Sequence, residues 1–261
     1  MHNSDSSPPP LARRLYSVWY RHMRVYTRNI FSNGLPPFLE PLIFLLGIGM
    51  GLGRYITQME GLPYMVFLAT ALPVTSAMFT AAYECTFGTF VRLEFQKAYD
   101  GMVAAPVTVT DLFAGEILWA ASKGLFFSAC VVLVMSIFGA MPMPVGLVAI
   151  PIGFLTGAMF GALSLAVTAF VKNINHFNFY FTGLLSPMFF FAGTVFPLES
   201  LPSALRPVAE LMPLTHPVRL CRGLITGRFS AILLADAAYV VVVAVLAGWF
   251  AIRRLRARIV T

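Results

Sequence analysis

Uninterrupted apolar stretches of about twenty residues alternate with short polar breaks along this chain. Six of them, at residues 35–56, 62–83, 112–138, 145–171, 177–197 and 231–252, are predicted to be transmembrane helices. A helix of that length spans a hydrocarbon core of about 30 Å. Ahead of them the pattern changes. Between residues 11 and 34, Leu15, Val18, Trp19, Met23, Tyr26 and Ile30 are set at helical spacing against Arg13, Arg14, Arg21, Arg24 and Arg28. An apolar aromatic face opposite an arginine face predicts an amphipathic helix lying in the membrane interface. Pro36 and Pro37 end it. Residues 1–10, with three consecutive prolines, read as a disordered tail, and without a cleavable signal pattern the first span is expected to act as the insertion signal.

Two breaks stand out. Residues 84–111 form the longest polar interruption, where Leu93, Lys97, Asp100, Gly101 and Met102 fit a short helix. Pro106, Thr108, Thr110 and Asp111 fit a turn and N-cap, and Gly101 is expected to take a backbone conformation that other residues resist. Residues 198–230 are too rich in proline and charge to cross as one helix, yet Leu201, Leu205, Val208, Leu211 and Leu214 give them an apolar face. Irregular backbone is tolerated at membrane depth where protein or a cavity buries it. The segment therefore predicts two short helices folding back from the outer side. The fold expected is an all-α polytopic membrane protein with six spans, an interfacial N-terminal helix and this re-entrant hairpin. In the first span Gly47, Gly49, Gly51 and Gly53 predict close packing on another helix.

Composition supports this reading. Of 261 residues 58% are hydrophobic and 11% charged, with a mean hydropathy of +0.79, against roughly 25% charged in soluble domains. The net charge of +7 is spread over the flanks of the apolar runs, so it reports topology rather than a nucleic-acid surface. Twelve basic residues fall in segments on the N-terminal side of the membrane and five on the other. Both termini are thus expected in the cytoplasm of a multi-pass inner-membrane protein. Cys85, Cys130 and Cys221 have no metal-ligand spacing, and no metal site or catalytic residue is expected.

Charges inside spans are costly and need partners. Glu116 and Lys123 lie two turns apart, too far for a direct pair, so each is expected to pair across helices, with Glu84 or Glu40 as candidates. Two readings stay open for them: an ion pair that fixes packing, or a translocation path for an anionic or sugar group. Asp236 is expected to reach the interface. The aromatic cluster that includes Phe179 and Tyr180 suits stacking on sugar rings and equally suits packing. His176 and His216 stand alone, and His216 reads as structural.

The run "FFFAGTVFPLESLPSALRPVAELMPLTHPVRLCRG" (189–223) resembles the C-terminal signature of the ABC-2 family of export permeases. The matching positions are Gly193, Phe196, Pro197, Leu198, Leu201, Pro202, Pro213, Leu214, Thr215, His216 and Arg219 or Arg222. "LGIGMGLGRYI" (46–56), "YMVFLATALPVTSAMFTAAYECTFGTFVRL" (64–93) and "YDGMVAAPVTVTDLFAGEILWAASKG" (99–124) resemble the nodulation protein NodJ branch. The resemblance implies a permease homodimer in membrane lipid that binds two copies of a cytosolic, NodI-like ATPase and exports lipid-linked or amphipathic glycans; drug-like cargo is the alternative. It also implies that Arg92, Glu94, Lys97, Asp100 and Gly101 couple the permease to that ATPase. The chain has no G-x-x-x-x-G-K-[ST] loop to cradle phosphates, so ATP and Mg are expected on the partner, with no cofactor here. A secondary transporter would usually show internal repeats, and none is visible. An intramembrane enzyme would need a nucleophile with a partner; Ser164 has no histidine at its depth.

Overall fold

The computed structural model describes residues 9–28, 39, 43–103 and 106–260. Among these, four helices are long and apolar enough to cross a membrane: α3 (Tyr64–Phe95), α5 (Val109–Ile137), α6 (Val145–Thr168) and α10, whose crossing part is Ala231–Arg258. They correspond to four of the six predicted spans. Of the first predicted span only residues 39 and 43–56 are described, and a π-type turn, α2 (Leu45–Met50), is present there. Glu40 and most of the tail lie outside the described residues. The fifth, α7 (177–194), is helical but mixes α and π turns and breaks at Ala192 and Gly193. Its regular part, 177–191, rises roughly 22 Å, short of a bilayer core.

The bundle core is α3, α5, α6 and α10. Its closest approach is between α5 and α6, where Gly153, Gly157 and Gly161 recur every fourth residue on one face of α6. A Cβ on Gly157 would stand 2.9 Å from the Ala120 carbonyl oxygen and 3.1 Å from Gly124 Cα. Small residues at such a spacing let two backbones touch. Of the glycines predicted to do this in the first span, Gly47 and Gly51 have no neighbour among the described residues within 4 Å of a Cβ, whereas one on Gly53 would stand 3.9 Å from the Tyr64 ring. A glycine stripe reports that close approach is possible, not that a neighbour is there.

α1 (Leu11–Arg28) forms as its amphipathic pattern predicts. Its inward face is occupied by α5, with contacts that climb both helices together. Arg14 pairs with Asp111 at 2.7 Å, Val18 sits over Gly115, and the Trp19 indole donates to the Ser122 hydroxyl at 2.9 Å. Lys123 lies over the Tyr26 ring. α5 starts at a capping box in which Thr108 accepts from the Asp111 amide and Asp111 accepts from the Thr108 amide, satisfying two orphan donors. This is the turn predicted at Thr108–Asp111, and Arg14 fastens α1 to the same carboxylate.

Segment 198–230 holds the two expected short helices, α8 (Arg206–Leu211) and α9 (Thr215–Thr226), the second ending at Gly227 with φ 70°. Positive φ favours glycine there. An unpredicted two-residue ribbon, β1 (Gln58–Met59) with β2 (Leu62–Pro63), precedes α3. At the other end of the chain, Arg258 donates to the Thr168 and Val171 carbonyls, each at 2.9 Å, and pairs with Glu94 at 2.9 Å. It thereby caps the carbonyl end of α6 and ties α10 to α3.

Candidate functional site

The polar break predicted at 84–111 is largely helix. α3 continues through Glu84 to Phe95 with π turns at Glu84–Gly88 and Val91–Phe95, and only from Gln96 does the chain leave it. A short helix, α4 (Ala98–Val103), follows. The correction has a simple cause: Glu84 and Arg92 are polar but not solvated, because partners from other helices come to meet them.

Glu116, on α5, is fully buried. Its Oε2 accepts from Arg92 Nη2 at 2.6 Å and from the Thr89 hydroxyl at 3.2 Å; its Oε1 accepts from the Tyr99 hydroxyl at 2.6 Å. His22 Nε2, from α1, stands 3.1 Å from the same Oε1. Arg92 Nη1 also donates to Glu84 at 2.8 Å, and Lys123 Nζ reaches the second Glu84 oxygen at 2.9 Å. Two carboxylates and two cations thus form one chain, Lys123–Glu84–Arg92–Glu116, with His22 at its end. Burial, and then the Glu116 carboxylate, push the Tyr99 phenol well above its ordinary range, so Tyr99 stays a donor.

The predicted cross-helix pairing of Lys123 with Glu84 is present. That of Glu116 is also across helices, but with Arg92, His22 and Tyr99. Arg92, expected at the coupling surface, points inward. Glu94 is on the surface with Arg258, and Lys97 holds the turn into α4 with φ 50°. Gly101 is not strained: it lies inside α4, its φ is not positive, and a Cβ there would meet nothing. His22 and Tyr99 were missed; a histidine on the apolar face of an amphipathic helix was the available signal. The network walls a cleft of ≈ 540 Å³ between α1, α3 and α5, lined by His22, Tyr26, Glu84, Arg92, Trp119 and Lys123.

The other suggested path residues do not join it. Phe179 is 78% exposed, whereas Tyr180 is buried with its hydroxyl 3.0 Å from Ser164 Oγ. Successive residues on a helix point about 100° apart.

Segment 198–230 is organised by charge as well as by proline. Gly193 turns the chain with φ 81°, and Pro197 follows in extended conformation. Pro202 lies between that turn and α8, and Pro213 in the link from α8 to α9. The Thr215 hydroxyl donates to the Ala209 carbonyl, closing the α8–α9 turn. His216 Nδ1 lies 2.7 Å from Asp236 and its ring stacks on Tyr239 at 3.7 Å. Arg219 joins Asp236 at 2.9 Å and Glu210 at 2.7 Å. Asp236, near the start of α10, is 1% exposed, held by two partners from α9. The structural reading of His216 fits this geometry.

Apolar helices of spanning length whose internal charges are paired across helices are those of a multi-pass membrane protein. The ABC-2 type transporter family model matches residues 13–226. Nodulation protein J of Sinorhizobium fredii (strain NBRC 101917 / NGR234) is 34% identical over 212 residues, covering 81% of each chain. Nodulation protein J of Rhizobium meliloti (strain 1021) is 32% identical over 211 residues, covering 81% of this chain and 80% of that one. The inner membrane transport permease YadH of Escherichia coli (strain K12) is 25% identical over 207 residues, 78% of this chain and 79% of its own. On that match and those identities, the chain is a multi-pass membrane protein that belongs to the ABC-2 type transporter family.

Proposed function

We propose that this chain is the permease half of an exporter that moves an amphipathic or lipid-linked glycan across the inner membrane, driven by a separate cytosolic NodI-like ATPase. The observation that carries this reading is the likeness to nodulation protein J across four-fifths of both chains. Two permease copies and two ATPase copies form the working unit. The α4 segment, with Lys97, Asp100 and Gly101, is the contact to the motor; Gly101 is exposed while Tyr99 of the same short helix is buried against Glu116, so a push on α4 is passed straight into the internal charge network. The cleft by Lys123 and Trp119 offers aromatic and charged groups to a sugar or an anionic group. Expressed with its motor, a tagged chain should copurify with a soluble ATP-binding chain in equal amounts. A strain lacking the permease should retain one glycolipid class that the wild type exports. A purified permease that recruits no ATPase, or an unchanged glycolipid profile, would overturn the reading.

In this proposal both termini and α4 face the cytoplasm, α1 lies at the cytoplasmic interface, and 198–230 folds back from the outer side. Ser200, Ser203 and Thr110 are all exposed, while the three native cysteines are buried. Impermeant thiol reagents on intact spheroplasts should label cysteines placed at Ser200 or Ser203 and leave one at Thr110 unlabelled. The reverse pattern would turn the molecule over and put α4 out of reach of a cytosolic motor.

A further inference from the structure

At the opposite end of the bundle from the Glu116 network, one buried cation has no counter-ion. Arg222 on α9 is 8% exposed. It meets the beginning of α3, whereas Glu84 lies fourteen residues further along that helix, roughly 21 Å by helical rise. Its Nε donates to the Thr70 hydroxyl at 3.2 Å; its Nη2 donates to the Phe67 carbonyl at 3.3 Å and the Gly193 carbonyl at 2.8 Å. The guanidinium carbon stands 3.6 Å from the Phe67 ring centre. These contacts supply dipoles and a ring face but no charge. Among the described residues no carboxylate lies within ion-pair distance of Arg222, although Arg219 has two and Arg228 has one. A buried cation left this way is costly.

The third nitrogen, Nη1, makes no hydrogen bond among the described residues, and Arg222 forms part of the wall of a cavity of ≈ 170 Å³. Gly193, Leu198, Glu199, Arg228 and Ser230 form other parts of the wall. A Cβ on Gly193 would stand 3.8 Å from Nη1, so this wall is kept low beside the free donor. Arg228 is half-exposed, pairs with the Glu60 carboxylate at 3.6 Å and donates to the Glu60 main-chain carbonyl. Arg219 and Glu60 complete the charged part of the wall, Arg219 held by Asp236 and Glu210 and Glu60 by Arg228; with those pairs set aside, the unpaired Arg222 guanidinium and the Ser230 residue beside a void of this size make a receptor for one oxyanion. Glu199 is on the rim and makes no ion pair among the described residues; its charge competes with an incoming anion.

We propose that this cavity binds a single phosphate-type anion on Arg222, either free phosphate or the phosphodiester of an anionic lipid. The site is independent of which cargo the permease moves, and its test reads binding rather than transport.

The full chain in phosphatidylcholine nanodiscs is titrated with inorganic phosphate at constant ionic strength, following thermal unfolding. A second set of nanodiscs carries phosphatidylglycerol and no free phosphate. Stabilisation in the first arm alone identifies a soluble anion; stabilisation in the second identifies a lipid headgroup. Ser230→Asp puts a carboxylate in the cavity at the position just before α10, where aspartate is a good helix cap. It is expected to weaken the binding about ten-fold, and Glu199→Gln to strengthen it. Arg222→Lys, which keeps the charge and loses the planar donor set, should abolish the response, and a failure of that variant to fold leaves the other two decisive. No stabilisation of wild type in either arm overturns the proposal. So does a response that Ser230→Asp and Glu199→Gln leave unchanged.

Discussion

Glu116→Ala is expected to remove most folded protein from the membrane. Glu116 is buried completely and takes Arg92, Tyr99 and Thr89 as donors. Its loss leaves Glu84 alone to neutralise both Arg92 and Lys123, an excess of one buried positive charge. Breaking a buried pair in this way costs about 3–5 kcal/mol, a large part of a typical folding free energy. Glu116→Gln keeps an acceptor for Tyr99 and should be milder. Adding Arg92→Met to Glu116→Gln restores charge balance, since Glu84 and Lys123 remain paired, and should recover stability relative to Glu116→Gln alone. Fluorescence-detected size exclusion after graded heating measures this order. If Glu116→Ala melts with the wild type, the network does not hold the bundle.

Gly157→Leu should be nearly as damaging, for a steric reason. The opposing atoms are the backbone of Ala120, Ala121 and Gly124, which cannot rotate away as a side chain can. Even added methylenes that meet side chains cost about 1–3 kcal/mol, and here two helices must separate. Gly183→Leu is the control, because a Cβ there meets nothing within 4 Å. The same heating assay should show a large loss for the first and little for the second. Equal behaviour would mean that α5 and α6 do not cross at this seam.

Most of the helical layout was legible because hydrocarbon length and apolar run length are the same constraint. The turn at Thr108–Asp111 was legible for a similar reason, since a capping box is local. What was hidden depends on residues far apart in sequence. Glu84 and Arg92 read as a loop because their polarity is visible and their partners are not: Glu116, Tyr99 and His22 come from three other segments. The partners of Asp236 were hidden in the same way: His216 and Arg219 lie on α9. The glycines of 47–53 and those of 153–161 look alike in sequence; only the neighbouring helix distinguishes them. Of the site, the Lys123–Glu84 pair could be anticipated because an intramembrane lysine must find a carboxylate.

The seating of α1 also sets an order of events during synthesis. Arg14 and Asp111 are 97 residues apart, and Trp19 and Ser122 are 103 apart. At translation rates of about 5–20 residues per second, roughly 5–20 s separate the emergence of α1 from that of its dock. For that interval His22 has no Glu116 and Arg14 no Asp111, and the helix has only the membrane surface to cover its aromatic face. In the topology proposed above, the arginines on its other side suit that wait, because anionic lipid headgroups would hold them until α5 arrives. In that topology one amphipathic pattern serves two successive surroundings, lipid during synthesis and the side of α5 in the finished bundle.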